Sequence, residues 1–246
     1  MSITHLFFDL HGTLIDPHRL HLCYSTHLGH VMAGRYGLTP EVWRDANRQI
    51  MADWDSYYAD LDLGGEDGIA DMWEGLLRTT RALFRLTGIP EPARLELTDL
   101  SRELPGLSTQ DCDALYLEAK AVIQTLHQAG WILGVASHAV QNHVQGVLAG
   151  GGVMPYFTGP LVGADTAESF RKDRGFYTAV CLHAGVPARQ CLMIDDTIAA
   201  LRGAQAAGCH TALIWRKDAP PPAESVDYLL VGDLSGLPAL LRGNHD

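Results

Sequence analysis

The sequence predicts an open parallel α/β sheet that is interrupted, after its first strand, by an all-helical insert. Three observations carry that expectation. Apolar runs of strand length recur at 4–9, 131–136, 190–195, 210–215 and 228–231. They are continuous rather than alternating, as in strands covered on both faces. The later runs are separated by single helix-length segments, which join strands in one direction through right-handed crossovers. From about Pro17 to Leu107, by contrast, apolar residues are spaced by four and no strand-like alternation occurs.

In chain order, Thr4 to Asp9 forms the first strand, ending at an acid and turning at Gly12. Inside the insert, Leu20, Tyr24, Leu28 and Met32 predict a helix over 19–36 that stops at Gly37. Thr39 and Pro40 form an N-cap with proline at the first helical position, opening a helix through Trp54. Gly64 and Gly65 break the pattern; a helix over 67–86 then stops at Gly88, and a weaker one covers 91–103. The insert leaves and rejoins the sheet domain near 15–18 and 104–109, where hinge flexibility is expected. After Pro105 and Gly106, helices are expected at 117–129, 139–149, 173–184 and 197–207, each ending at glycine or one residue before it. A short strand near 156–162 and a surface loop at Pro220, Pro221 and Pro222 complete the pattern.

A chain of 246 residues with 47% hydrophobic content can bury one large core, or a core with a smaller companion. Eighteen basic against twenty-nine acidic residues give a formal charge of −11. That charge repels phosphate backbones and anionic lipid, so neither nucleic acid nor a membrane surface is an expected partner. No apolar run approaches the roughly twenty residues of a bilayer span. The N-terminal stretch has no basic region and carries Asp9, unlike a secretory signal. Cys23, Cys112, Cys181, Cys191 and Cys209 are odd in number and lack C-x-x-C spacing. They read as buried thiols in a reducing compartment, hence a cytoplasmic protein; separately, a monomer or homodimer is expected.

Function is read from where the strands end. Asp9, Ser137 and the pair Asp195 and Asp196 all fall at or just past strand C-termini. In an open parallel sheet these ends share one crevice, which is where ligands bind. Carboxylates gathered there repel one another unless a cation lies between them, and an all-oxygen donor set suits Mg²⁺.

These residues resemble the four ordered motifs of the haloacid dehalogenase superfamily. Asp9-Leu10-His11-Gly12-Thr13-Leu14 is similar to the first motif, Ile132 to Ser137 to the second, and Lys172 to the third. Met193 to Thr197, followed by Ala206-Ala207-Gly208, is similar to the fourth. The insert resembles the cap of the helical-cap subgroup. The resemblance implies a Rossmann-like core over 1–16 and 108–246 with a cap over 17–107. It further implies that Asp9 is a nucleophile forming an aspartyl-phosphate, and that Thr13 and Ser137 hold phosphoryl oxygens through hydroxyl and backbone N–H groups. Lys172 would balance the charge, with Arg171 as its rival. Asp9, Asp195, Asp196 and the backbone carbonyl of His11 would hold Mg²⁺. His138, beside Ser137, is a further substrate-binding candidate, and His143 stands near it.

Two departures bear on chemistry. Ala200 occupies a place where many relatives carry another acid or amide. His11 stands where phosphatases of the superfamily carry the acid–base aspartate; an imidazole near pKa 6.5 is a competent replacement. Three readings follow: a Mg²⁺-dependent phosphatase of a small phosphomonoester, a dehalogenase-type carbon-centred hydrolase, and a non-catalytic binder of a phosphorylated ligand or partner. The insert holds no lysine, which argues against imine-forming phosphonate cleavage. Paired acids at 195 and 196 argue against a metal-free dehalogenase, since they would oppose a carboxylate substrate. In the insert, Arg44, Arg48, Trp54, Tyr57 and Tyr58 are possible substrate contacts, although aromatic residues at helical spacing more often pack a core.

Overall fold

The structure, a computed structural model, describes residues 3–217 and 219–242. Six parallel strands form one sheet: β1 (His5–Phe8), β2 (Ile132–Ala136), β3 (Leu161–Val162), β4 (Cys191–Asp195), β5 (His210–Ile214) and β6 (Leu229–Val231). Their spatial order is β3-β2-β1-β4-β5-β6. β1 therefore lies between β2 and β4, pairing Phe8 with Val135 on one side and Ile194 on the other. The chain runs outward to β3 and returns across β1 to β4, so the switch in direction puts the ends of β1, β2 and β4 side by side.

Six helices separate β1 from β2, and the first five form the insert: α1 (Pro17–Tyr36), α2 (Pro40–Ala52), α3 (Trp54–Tyr58), α4 (Gly68–Thr87) and α5 (Arg94–Leu107). The Asp16 side chain caps α1 by accepting from the His18 N–H, and Pro40 opens α2 as its position predicts. The rest are α6 (Ala119–Gln128), α7 (Gln141–Gly150), α8 (Arg174–Ala184), α9 (Ile198–Ala206) and α10 (Leu237–Arg242). Alternation along the strands divides the core in two. Leu6, Phe8, Leu133, Val135, Leu192 and Ile194 face one layer, which includes α6 and α7; Phe7, Cys191 and Met193 face α8 and α9. The insert has a core of its own around Trp43, Leu83 and Phe84.

Several local expectations need correction. The helix opened at Pro40 ends at Ala52, and Trp54 starts a separate short turn of helix. The Pro105-Gly106 pair does not end α5. Gly106 lies so close to α7 that a Cβ would stand 3.0 Å from the Asn142 carbonyl oxygen. Asn142 in turn donates to the Arg102 carbonyl at 2.5 Å, so packing overrides the local break signal. α7 starts at Gln141 rather than 139, capped from a distance by Asp165, which accepts from the Gln141 N–H at 2.8 Å. α10 follows no signal noted in the sequence.

The reading of five buried thiols is also overturned. Cys23 of α1 is joined by a disulfide to Cys112, 89 residues on; Cys181, Cys191 and Cys209 are free and buried. The pair was invisible in sequence because only the fold brings α1 beside the returning segment. The disulfide removes the cysteine argument for a reducing compartment. The two crossings are tied further by backbone bonds from Asp16 N–H to the Ala114 carbonyl and from Tyr116 N–H to the Leu14 carbonyl. Among the described residues no helix is long and apolar enough to cross a membrane.

Candidate active site

Asp9 follows β1, held in place by its N–H, which donates to the Ile194 carbonyl at 2.8 Å. Asp195 closes β4 and is buried; its carboxylate accepts from the Thr197 N–H at 2.8 Å. Asp196 stands one residue on, accepting from the Thr197 hydroxyl at 3.2 Å. Carboxylate oxygens of Asp9, Asp195 and Asp196 all lie within 4.8 Å of one another. Lys172, from the segment before α8, reaches into this group. Its ammonium donates to Asp9 Oδ1 and, at 2.8 Å, to Asp195 Oδ2. The rival cation, Arg171, also lines the cleft, beside Gly64 of the insert, while Lys172 is the one that pairs with Asp9 and Asp195.

The electrostatics follow from counting charges. Three carboxylates face one buried ammonium. Burial opposes the charge on Lys172, yet Asp9 and Asp195 outweigh it and hold the amine protonated. Burial pushes Asp9 up to about 7 against the pull of Lys172, with Asp195 adding to the rise. Asp196 is raised too, by burial and by Asp195. The cluster is short of positive charge, and its three carboxylates offer oxygen donors. That donor set fits a hard divalent cation such as Mg²⁺, which would restore the balance.

Gly12 is required at the turn below the cluster. Its φ is +80°, and a Cβ there would stand 2.4 Å from Asp196 Oδ2. The turn is braced from β5's far side by Arg216, which sequence reasoning did not single out. Arg216 donates to the Gly12 and Thr13 carbonyls at 3.2 and 3.0 Å and pairs with Glu118 at 2.6 Å. Its guanidinium also sits 3.6 Å over the Tyr116 ring. An arginine beyond a strand has no local signal; only the fold brings it to residues two hundred positions earlier.

Two expectations about phosphoryl contacts change. Thr13 is fully buried, its hydroxyl has no partner, and it does not line the cleft. The turn at Gly12 carries it under the loop. Ser137 lines the cleft as expected, but its backbone N–H is already committed to the Val162 carbonyl at 3.0 Å. Only its hydroxyl, which accepts from the Ala139 N–H at 3.2 Å, is left to donate to a ligand.

His11 also lines the cleft. Its ring stacks on His143 of α7, centroids 5.3 Å apart. Burial, reinforced by Lys172 and His21, lowers its pKa to about 4, so the free protein holds a neutral imidazole rather than the group near 6.5 expected from sequence. His143 is lowered to about 3 by burial and by His11. His138 stacks on Phe170 at 5.1 Å and is lowered to about 4 by burial and by Lys172. Of the insert residues, Trp54 and Tyr58 stack on each other at 4.9 Å and line a cavity next to the cleft. Tyr57 packs in the insert core, while Arg44 and Arg48 pair with Asp45 away from the site.

Comparison with known proteins bears on the family and the fold. The sequence model of the haloacid dehalogenase-like hydrolases matches residues 3–208. An enolase-phosphatase E1 of Monosiga brevicollis is 28% identical over 128 residues, 50% of this chain and 42% of that protein. The curated relatives matched are phosphatases, and the aligned stretches span 42–64% of their length. Among solved structures, the L-2-haloacid dehalogenase of Xanthobacter autotrophicus with chloropropionic acid covalently bound has a TM-score of 0.57 and 19% identity, covering 98% of this chain and 99% of that one. A phosphatase from Thermococcus onnurineus has a TM-score of 0.60 and 16% identity, covering 99% and 100%. At these identities the structural likeness speaks for the fold alone, and the two neighbours carry different chemistries on it.

Proposed function

The chain belongs to the haloacid dehalogenase-like hydrolases, and from that premise we propose that it is a Mg²⁺-dependent phosphatase of a small phosphomonoester, acting through an aspartyl-phosphate at Asp9. The observation that carries this reading is the unbalanced trio of Asp9, Asp195 and Asp196 around a single lysine. A carbon-centred dehalogenase taking a carboxylate substrate would gain nothing from two further acids beside its nucleophile; a phosphatase uses them to hold a cation.

In this reading the core, 1–16 and 108–246, supplies the chemistry and the cap, 17–107, closes over it; the core bounds reach past the described residues at both ends. Asp9, Asp195, Asp196 and the His11 carbonyl would hold Mg²⁺, which supplies charge to the phosphoryl oxygens and keeps Asp9 ionised. One Asp9 oxygen attacks phosphorus, and the bond from phosphorus to the ester oxygen breaks. Lys172 and the Ser137 hydroxyl take up the charge on the equatorial oxygens. A dianionic substrate favours the protonated form of His11, which passes its proton to the departing oxygen; the neutral ring then accepts a proton from the attacking water. Water oxygen ends on phosphate, and Asp9 is released.

The test is a side-by-side assay of phosphate release from an aryl phosphate and halide release from a 2-haloacid, each with and without Mg²⁺. Phosphate release that needs Mg²⁺ and vanishes in Asp9→Asn supports the reading. Halide release in the presence of a chelator refutes it and favours the dehalogenase.

A further inference from the structure

Beside the cleft lies a space that the proposed chemistry does not use. It is a cavity of about 300 Å³ between the insert helices and the segment that opens α7. It meets the cleft at His11, Leu63, His138 and Phe170, which line both. Its walls include Leu20, Leu28, Met72, Leu76 and Leu83, and among the described residues no Asp, Glu, Lys or Arg lines it. Four of its hydroxyls are spent within the protein. Ser25 donates to the His21 carbonyl at 3.2 Å and accepts from Asn47 at 2.9 Å. Thr79 and Thr80 both donate to the Leu76 carbonyl, at 3.0 and 2.8 Å, and Ser101 to the Thr98 carbonyl at 2.7 Å. The Tyr58 ring is seated on Gly75, where a Cβ would come within 2.0 Å of it, so this aromatic wall is fixed in place.

Such a space selects by charge. A carboxylate or ammonium entering it exchanges water for apolar walls with no counter-ion. An uncharged hydrocarbon or aromatic body loses little and gains the burial of its surface. The volume lies at the lower end of the roughly 300–1,000 Å³ of small-molecule sites, enough for a ring system. The anionic end of such a molecule has its own place next door, beside Lys172. We propose that the substrate is a phosphomonoester of an uncharged, largely apolar alcohol or phenol of ring-system size. Its phosphate sits in the Asp9 cleft, its body fills this cavity, and the uncharged wall excludes phosphoesters bearing a carboxylate or ammonium. The inference rests on the phosphatase reading of the cleft.

The experiment compares kcat/KM of the Mg²⁺-loaded protein for 1-naphthyl phosphate, phosphoserine and phosphoglycolate, with calorimetric titration of 1-naphthol alongside. The expected result is a preference of about a hundredfold or more for the naphthyl ester, and 1-naphthol binding with or without Mg²⁺. Met51 of α2 lines the cavity and is half-buried. Met51→Lys is expected to lower kcat/KM for the naphthyl ester about tenfold, through KM, and to weaken 1-naphthol; Met51→Leu retains both. Equal or better turnover of the charged esters overturns the cavity assignment and leaves the phosphatase reading standing. Binding of 1-naphthol without turnover of any ester overturns the phosphatase reading and this substrate class with it.

Discussion

At Lys172 one buried ammonium faces two buried carboxylates, and the whole cleft depends on that contact. Replacing it by alanine leaves three acids with no internal counter-charge. Lys172→Ala is expected to lower kcat/KM by roughly 10²–10³, the cost of losing one charge-stabilising donor, as steady-state phosphate release would read. His11 is open to a sharper comparison. If it moves the proton, His11→Ala is slow and His11→Asp keeps or raises the rate; equal rates for wild type and His11→Ala dismiss it. His143 yields a pH prediction. Its folded pKa, about 3, lies below the unfolded 6.5, so the unfolded chain binds the extra proton between those values. Its contribution to stability is complete above 6.5 and is lost as pH falls. In urea unfolding between pH 6.5 and 4.5, His143→Phe should therefore lose less stability than wild type, by about 1 kcal/mol per pH unit. Parallel lines for the two proteins would show that the ring takes up its proton in the folded state. At this scale the sequence disclosed the acids, Ser137 and Lys172, because strand ends and motif order mark them. It misplaced Thr13, since residue type does not say which way a turn carries a side chain. It placed His143 near the site but did not pair it with His11, which is 132 positions away in the chain.

Elements were the most legible level. Continuous apolar runs marked every strand but the two-residue β3, and glycines at helix ends marked most helix stops. The exceptions are instructive. Local signals broke α5 at Pro105, whereas contact with α7 carries the helix to Leu107. The turn after β1 looked self-contained in sequence, but it is held by Arg216 from beyond β5. Arg216 does not line the cleft; it positions the loop that carries His11. Arg216→Ala is therefore expected to lower kcat by about tenfold or more while KM changes little, and Arg216→Lys to restore only part of it, because a single ammonium cannot reach both carbonyls and stack on Tyr116. An equal fall in thermal stability and activity, with kcat per folded molecule unchanged, would make it a purely structural residue.

For the whole molecule, the sheet with its inserted helices was readable because periodicity changes sharply near 17 and 107. The disulfide and the cavity were not, since both depend on how the insert meets the sheet. The Cys23–Cys112 bridge joins the first insert helix to the returning segment, and its removal by Cys23→Ser with Cys112→Ser should cost about 2–4 kcal/mol in urea unfolding. Thiol titration of the unfolded, unreduced chain should find three thiols, and five after reduction; five without reduction would mean that the bridge does not form. The central claim, that Asp9 takes the phosphoryl group, is tested most directly by acid-quenching the Mg²⁺-loaded protein during turnover of an aryl phosphate and mapping adducts by mass spectrometry. The account predicts one phosphoryl group on the Asp9 peptide, absent without Mg²⁺. Phosphate released with no adduct there and at an undiminished rate in Asp9→Asn, or an ester formed on Asp9 from a 2-haloacid without metal, would contradict it.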